Sequence, residues 1–304
     1  MPITTFQQLR AAAAGRGPKR VAVAAAATAE ALQAVHATQQ ARIADCLLLG
    51  DPDHLGRLAE QAGLPADDLA IHPAPDPQQA VRLAMEMARA GEVDVVMKGA
   101  VATATFLRGA LDRETGIRAA RLLTHVGVYA VPGFGRLLLV SDGGVVVAPD
   151  LYQKAEIIQN AIDVALRLGI AEPKVAVLAA AETVNPRIPA TLDAASLSKM
   201  AERGQIRGGI VDGPLALDNA ISETSGQIKG IHSPVLGRAD VLIVPDIEAG
   251  NLLGKALLYF GRGEMAGVVV GGRVPLVVTS RSGTRESREV SIALGVLLAG
   301  GFDQ

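Results

Sequence analysis

The richest chemistry in the chain lies in Val277-Val278-Thr279-Ser280-Arg281-Ser282-Gly283-Thr284-Arg285-Glu286, where an apolar strand runs straight into hydroxyls, a guanidinium and a glycine. Hydroxyl donors and a forked guanidinium ahead of a helix N-terminus make a site for an oxyanion or a phosphate. Helix capping accounts for Ser282 or Thr284 but not for an arginine at a strand end. A second run, Asp94-Val95-Val96-Met97-Lys98-Gly99, closes a strand with a lysine, and Thr103, Thr105 and Arg108 follow on a helix. Lys98 and Arg108 supply charge there, and Gly99 lets backbone amides approach an anion. Two further strand ends carry polar residues: Asp212-Gly213-Pro214 with Asp218-Asn219, and Pro245-Asp246 with Ala249-Gly250-Asn251; Ser233-Pro234 lies between them. Asp, Ser and Gly are also ordinary turn and cap residues, so ligand contact and local capping both remain open at Asp212, Ser233, Asp246 and Asn251.

These groups need a scaffold that brings strand ends together. Short apolar runs at 20–27, 45–50, 93–98, 174–180, 206–212, 239–246, 266–271 and 276–280 lack polar alternation, as strands covered on both faces do. Helix-period segments at 76–90, 150–168, 189–203 and 285–298 lie between them, with Asp150 placed as an N-cap. The alternation predicts an α/β fold with mostly parallel, doubly wound sheets, in which ligands bind beyond the carboxyl ends of the strands. The middle departs from it. Residues 124–131 and 136–140 flank Pro132-Gly133-Phe134-Gly135 and predict a hairpin. That hairpin is read as a junction, with residues 1–140 plus 282–304 as one α/β/α lobe and 141–281 as the other.

Composition narrows the function. The chain has 304 residues, 49% hydrophobic, 20% charged and 3% aromatic, which excludes intrinsic disorder. A formal charge of -2, no Trp and few aromatic platforms argue against nucleic acid as a partner. No apolar run approaches the roughly 18–20 residues of a membrane helix. Lys19-Arg20 before Val21-Ala22-Val23-Ala24 mimics a signal peptide loosely, but reads better as a first buried strand, and the expectation is a soluble cytoplasmic protein. The single Cys46 sits in an apolar run and is expected to be buried filler. Five scattered histidines show no ligand spacing, so no metal site is expected. Glycine-rich dinucleotide, P-loop and nucleophile-elbow motifs are absent.

In its strand-end motifs the chain resembles the phosphate acetyl/butyryltransferase family, and within it the butyryltransferase branch. The matching stretches are Met97-Lys98-Gly99 with 103–108; Ala148-Pro149-Asp150-Leu151; 154–160; 189–194; 210–220; His232-Ser233-Pro234-Val235; 244–252; and Thr279-Ser280-Arg281. The resemblance implies acyl-CoA + phosphate ⇌ acyl phosphate + CoA, with no cofactor beyond these substrates. It implies two lobes of isocitrate/isopropylmalate dehydrogenase-like architecture with the active site in a cleft, and a homodimer or larger assembly. Ser280 and Arg281 carry over as the family's cleft serine and arginine, and Arg108 as its second phosphate-side arginine. Lys98, Gly99, Thr105, Asp212, Ser233, Asp246, Asn251 and Ser282 are expected to contact substrate. The acetyltransferase branch has an aspartate, its proposed base, where this chain has Ser287; Glu286 stands in as a candidate base by proximity. An arginine expected after the Ala-Gly-Asn motif is replaced by Leu258-Tyr259-Phe260.

Phosphate attack on a thioester builds charge on the carbonyl oxygen and on sulfur, so donors suffice and no covalent enzyme intermediate is needed. Ser280 therefore reads as a donor, since no histidine is visible to activate it. Two rival readings are a β-decarboxylating dehydrogenase and a non-catalytic protein that binds CoA or acyl phosphate. The first needs a nucleotide site and clustered aspartates, and the second is motivated by Ser287.

Overall fold

The computed structural model describes residues 1–65, 68–279 and 283–300. The backbone divides into two compact units, one of 6–121 and 266 onward, the other of Met1–Thr5 and Leu122–Met265.

The first unit opens with α1 (Phe6–Ala14), β1 (Lys19–Ala24), α2 (Ala29–Gln40), β2 (Ala44–Gly50), α3 (Pro52–Gln61), β3 (Ala70–Pro73), α4 (Pro77–Arg89), β4 (Val95–Lys98) and α5 (Thr103–Ala110). Asp51-Pro52 and Asp76-Pro77 start two of these helices alike. Each aspartate caps two amides and each proline sits at the first turn, where its missing N–H costs nothing.

The second unit holds β5 (Thr124–Ala130), β6 (Leu137–Ser141), α6 (Leu151–Arg167), β7 (Lys174–Leu178), α7 (Pro189–Glu202), β8 (Ile210–Leu215), α8 (Leu217–Ile221), α9 (Glu223–Ile228), β9 (Val241–Ile243) and α10 (Ile247–Tyr259). The chain then re-enters the first unit through β10 (Glu264–Val270), β11 (Leu276–Val277) and α11 (Arg285–Leu298).

The fold is α/β with mostly parallel pairing. In the first unit β3, β2, β1, β4 and β11 run parallel in that spatial order, and β10 pairs antiparallel with β11. In the second, β6, β9, β7 and β8 are parallel, and β5 joins β6 as the expected antiparallel hairpin. Gly133 and Gly135 turn the hairpin with φ of 82° and 79°. The hairpin lies wholly in the second unit, so the division falls at 121/122 and 265/266 rather than at 140 and 281. Pairing explains this: β6 is hydrogen-bonded to β9, while β11 returns to β4.

The cores are aliphatic. Val21 to Ala24 on β1 and Val95 to Met97 on β4 are essentially inaccessible, and α11 is buried all round from Val290 to Leu298. Asp150 caps α6 as expected, in a reciprocal box with Gln153 (2.8 and 3.0 Å). Lys154 on α6, buried, is ion-paired to Asp193 on α7 at 2.6 Å. Cys46 is buried, and burial pushes its thiol up to about 12. No helix among the described residues is long and apolar enough to cross a membrane.

Candidate active site

At the carboxyl ends of β1, β4 and β11 the first unit holds a cavity of about 280 Å³. Among the described residues Thr28, Met97, Lys98, Val101, Thr279 and Arg288 shape it. Each arrives there for a local reason. Lys98 is the last residue of β4; only 5% exposed, its ammonium donates to the carbonyls of Gly99 and Val101 at 3.1 Å each. Thr28 is the N-cap of α2, so the positive end of that helix dipole borders the space. Thr279 follows β11, and its hydroxyl accepts a 3.1 Å hydrogen bond from the Arg288 guanidinium.

Arg288 was not among the residues expected from the sequence. It projects from the second turn of α11, is 7% exposed, and its Nε has no partner. Burial holds its pKa below the ordinary arginine value, with Glu30 pulling weakly the other way. The sequence carries only a partial signal: α11 is apolar on every face from Val290 onward, so the turn before it approaches the core, but which residue of that turn points inward is set by packing. Among the described residues no group of His, Cys, Asp and Glu is placed to hold a metal ion.

The other expected residues divide clearly. Ser280, Arg281 and Ser282 lie outside the described residues. Gly99 borders the cavity, but its amide donates to Ala24 O at 2.8 Å and the Ala100 amide to Ala25 O at 2.7 Å. The expected approach of these amides to an anion is therefore replaced by packing. A Cβ on Gly99 would lie 2.2 Å from Ala25 O, so the glycine is required by the close approach of two backbones at the ends of the paired strands β1 and β4. Thr105 is half-buried and Arg108 exposed on α5, and neither lines the cavity. Glu286 is exposed on the first turn of α11. Its own amide and the Thr284 hydroxyl hold its carboxyl below the usual range, the opposite of what a general base near neutral pH requires. Ser287 donates its amide to the Thr284 cap.

In the second unit the expected residues are engaged locally. Asp212 accepts from Ser198 Oγ (3.2 Å) and from the Gly213 amide (2.9 Å). Ser233 accepts from the Val235 amide at 3.1 Å, and Asp246 caps α10 through the Ala249 amide at 2.9 Å. The Asn251 side chain reaches Gly143 O at 3.5 Å. Asp218 and Glu182 both bind Lys229, which lowers their pKa values. Asp142, at the end of β6, was not anticipated. It is buried and accepts from the amides of Gly144, Val145 and His125, each at 2.8 Å. Its signal was present, because Ser141-Asp142-Gly143-Gly144 follows an apolar strand as the other clusters do. Gly143 packs so closely on Gly250 that a Cβ would meet backbone at 2.8 Å. The neighbouring His125 has a buried Nδ1 without a partner, and burial holds its pKa down against the pull of Asp142.

The family model described as phosphate acetyl/butaryl transferase matches residues 74–296, well over half of the chain. The chain belongs to this family. The phosphate acetyl/butyryltransferase match takes in Lys98, Thr279 and Arg288 together with the polar strand ends of the second unit. Among named relatives, a phosphate butyryltransferase of Clostridium acetobutylicum is 42% identical over 298 residues, 98% of this chain and 99% of that one. A phosphate acetyltransferase of Thermotoga maritima is also 42% identical, over 97% of this chain and 99% of its own. Among solved structures, a branched-chain phosphotransacylase from Enterococcus faecalis superposes with a TM-score of 0.82 at 29% identity, covering 93% of this chain and 99% of that chain.

Proposed function

We propose that the chain transfers a short acyl group between coenzyme A and inorganic phosphate. The observation that carries this reading is the near full-length likeness, at 42% identity each, to a named phosphate butyryltransferase and a named phosphate acetyltransferase. In the forward direction a phosphate oxygen bonds to the thioester carbonyl carbon and the carbon–sulfur bond breaks. The proton of HPO₄²⁻ ends on the released thiol, so acyl-CoA and HPO₄²⁻ become acyl phosphate and CoA-SH.

The developing charges sit on the carbonyl oxygen and the sulfur. Lys98 offers a buried cation at a strand end, and Ser280, Arg281 and Ser282 offer donors by the family resemblance. Such groups stabilise the transition state directly, with no acyl-enzyme intermediate. Asp212, Ser233, Asp246 and Asn251 retain a proposed role toward coenzyme A. A cytoplasmic homodimer or larger assembly, working without metal or organic cofactor, belongs to the same proposal.

The butyryl preference is part of the proposal too, because the two 42% relatives do not separate the acyl chains. Two additional buried methylenes contribute at most roughly tenfold in catalytic efficiency. The test is a panel of acetyl-, propanoyl-, butyryl- and branched acyl-CoA assayed with phosphate. The expected result is release of CoA, fastest with butyryl-CoA. Preference for acetyl-CoA would refute the chain-length reading. Binding of CoA and phosphate without turnover of any thioester would refute catalysis and favour the non-catalytic binding reading.

A further inference from the structure

Arg288 is a cation in the wrong kind of place for a structural arginine. It is 93% removed from solvent, yet among the described residues it makes no ion pair, and its one hydrogen bond goes to the Thr279 hydroxyl. Guanidinium carries five N–H donors and keeps its charge in proteins, so burial without a carboxylate is destabilising unless something else answers the charge. Arg288, its Nε buried and unpartnered, lines a cavity that Lys98 and the N-terminal turn of α2, capped by Thr28, also line. No acidic side chain lines that cavity among the described residues. Glu30, in the first turn of α2, acts on the guanidinium through space but makes no ion pair with it and does not line the cavity. The described lining therefore brings Arg288, Lys98 and a helix N-terminus to one space that can take an anion. Its volume of about 280 Å³ lies just below the roughly 300 Å³ at which ordinary ligand pockets begin, which suits a small anion rather than a whole coenzyme A.

We propose that Arg288 is a substrate-binding residue that receives inorganic phosphate in this cavity, its guanidinium bonding phosphate oxygens beside Lys98. The assignment rests on the acyl-transfer reading for its biological role, but not for the binding itself.

Thermal unfolding of the full chain in phosphate-free buffer, with and without added inorganic phosphate, tests it alongside steady-state kinetics. Arg288→Met removes an uncompensated buried charge, so the variant should unfold at the same temperature as the unsubstituted chain or higher. Added phosphate should stabilise the unsubstituted chain and leave Arg288→Met unmoved. Losing a charge-assisted hydrogen bond should raise the KM for phosphate by about tenfold to a hundredfold, with the KM for acyl-CoA unchanged. Arg288→Lys should recover part of the phosphate effect, and it supplies the readings if the Met variant does not fold. A lower unfolding temperature for Arg288→Met with full phosphate protection would make the arginine structural and overturn the proposal. A rise confined to the KM for acyl-CoA would overturn it as well. If no thioester turns over but phosphate protection still depends on Arg288, the acyl-transfer reading fails and this site stands. If turnover is normal and the phosphate KM of the variants is unchanged, the site alone fails.

Discussion

Substituting Gly99 by alanine tests the architecture that holds Lys98 in place. The added Cβ would stand 2.2 Å from Ala25 O and 2.7 Å from Ala24 O. Both are backbone atoms, and Ala25 is held at a φ of 55°, so neither can swing aside as a flexible side chain would. Ordinary contact starts at 3.4 Å, so the two segments must separate by about 1 Å. That separation strains the Gly99–Ala24 and Ala100–Ala25 hydrogen bonds, now 2.8 and 2.7 Å. Overpacking costs ~1–3 kcal/mol and each weakened bond up to ~1 kcal/mol, so the loss should be about 2–4 kcal/mol. For a unit of this size that lowers Tm by roughly 5–15 °C. Lys98 is covalently next to the displaced residue and donates to Gly99 O, so it moves with it. Misplacing a positioning group by about 1 Å costs up to ~10²-fold in turnover. The assays are thermal unfolding followed by CoA-release kinetics at a temperature where the variant is folded. Native Tm together with native kcat would refute both the steric reasoning and the role given to Lys98.

Three further outcomes are expected. Arg281→Ala should lower kcat/KM by about 10²–10³ in the same assay, on the order of 3–4 kcal/mol, and Arg281→Lys should rescue only part of it; near-native turnover would remove Arg281 from the site. Glu286→Gln should leave the pH–rate profile between about pH 6 and 9 unchanged, because a carboxyl held below its usual range is already ionised throughout that window; disappearance of the acid limb would instead make Glu286 the base. Cys46, its thiol pushed up to about 12, is only ~10⁻⁴ thiolate at pH 8 and should resist alkylation until denaturant is added; rapid native-state labelling would contradict its burial.

Elements with a strong local period could be read directly. The hairpin around Gly133 and Gly135, the capped α6 after Pro149 and the full span of α11 were all legible, because apolar period, cap and turn chemistry act within a few residues. β3 was not. Its four residues are mostly exposed and it is held by backbone pairing to β2, which leaves no side-chain pattern. Family motifs were legible as motifs, but their reasons were not. Lys154 and Asp193 occur in two separate matching stretches, and the structure joins them in one partly buried ion pair. Asn160, in the first stretch, binds Leu122 O and Thr124 Oγ1 at 3.0 Å and so anchors α6 to β5.

By itself the sequence determined the α/β class, the family, and the polar strand ends at which chemistry gathers, because each depends on residue type and short spacing. Tertiary structure decided which of those groups face a common space. Gly99 reads in the sequence as an anion-approach glycine, and in the structure it lies where the end of β4 packs against the backbone at the end of β1. Glu286 and Arg288 lie two residues apart on one helix, and only packing separates the exposed carboxylate from the buried guanidinium. The physical reason is the helical period. Two residues turn the side chain by roughly 200°, so one position faces water and the other enters the core, and which is which depends on what the helix packs against.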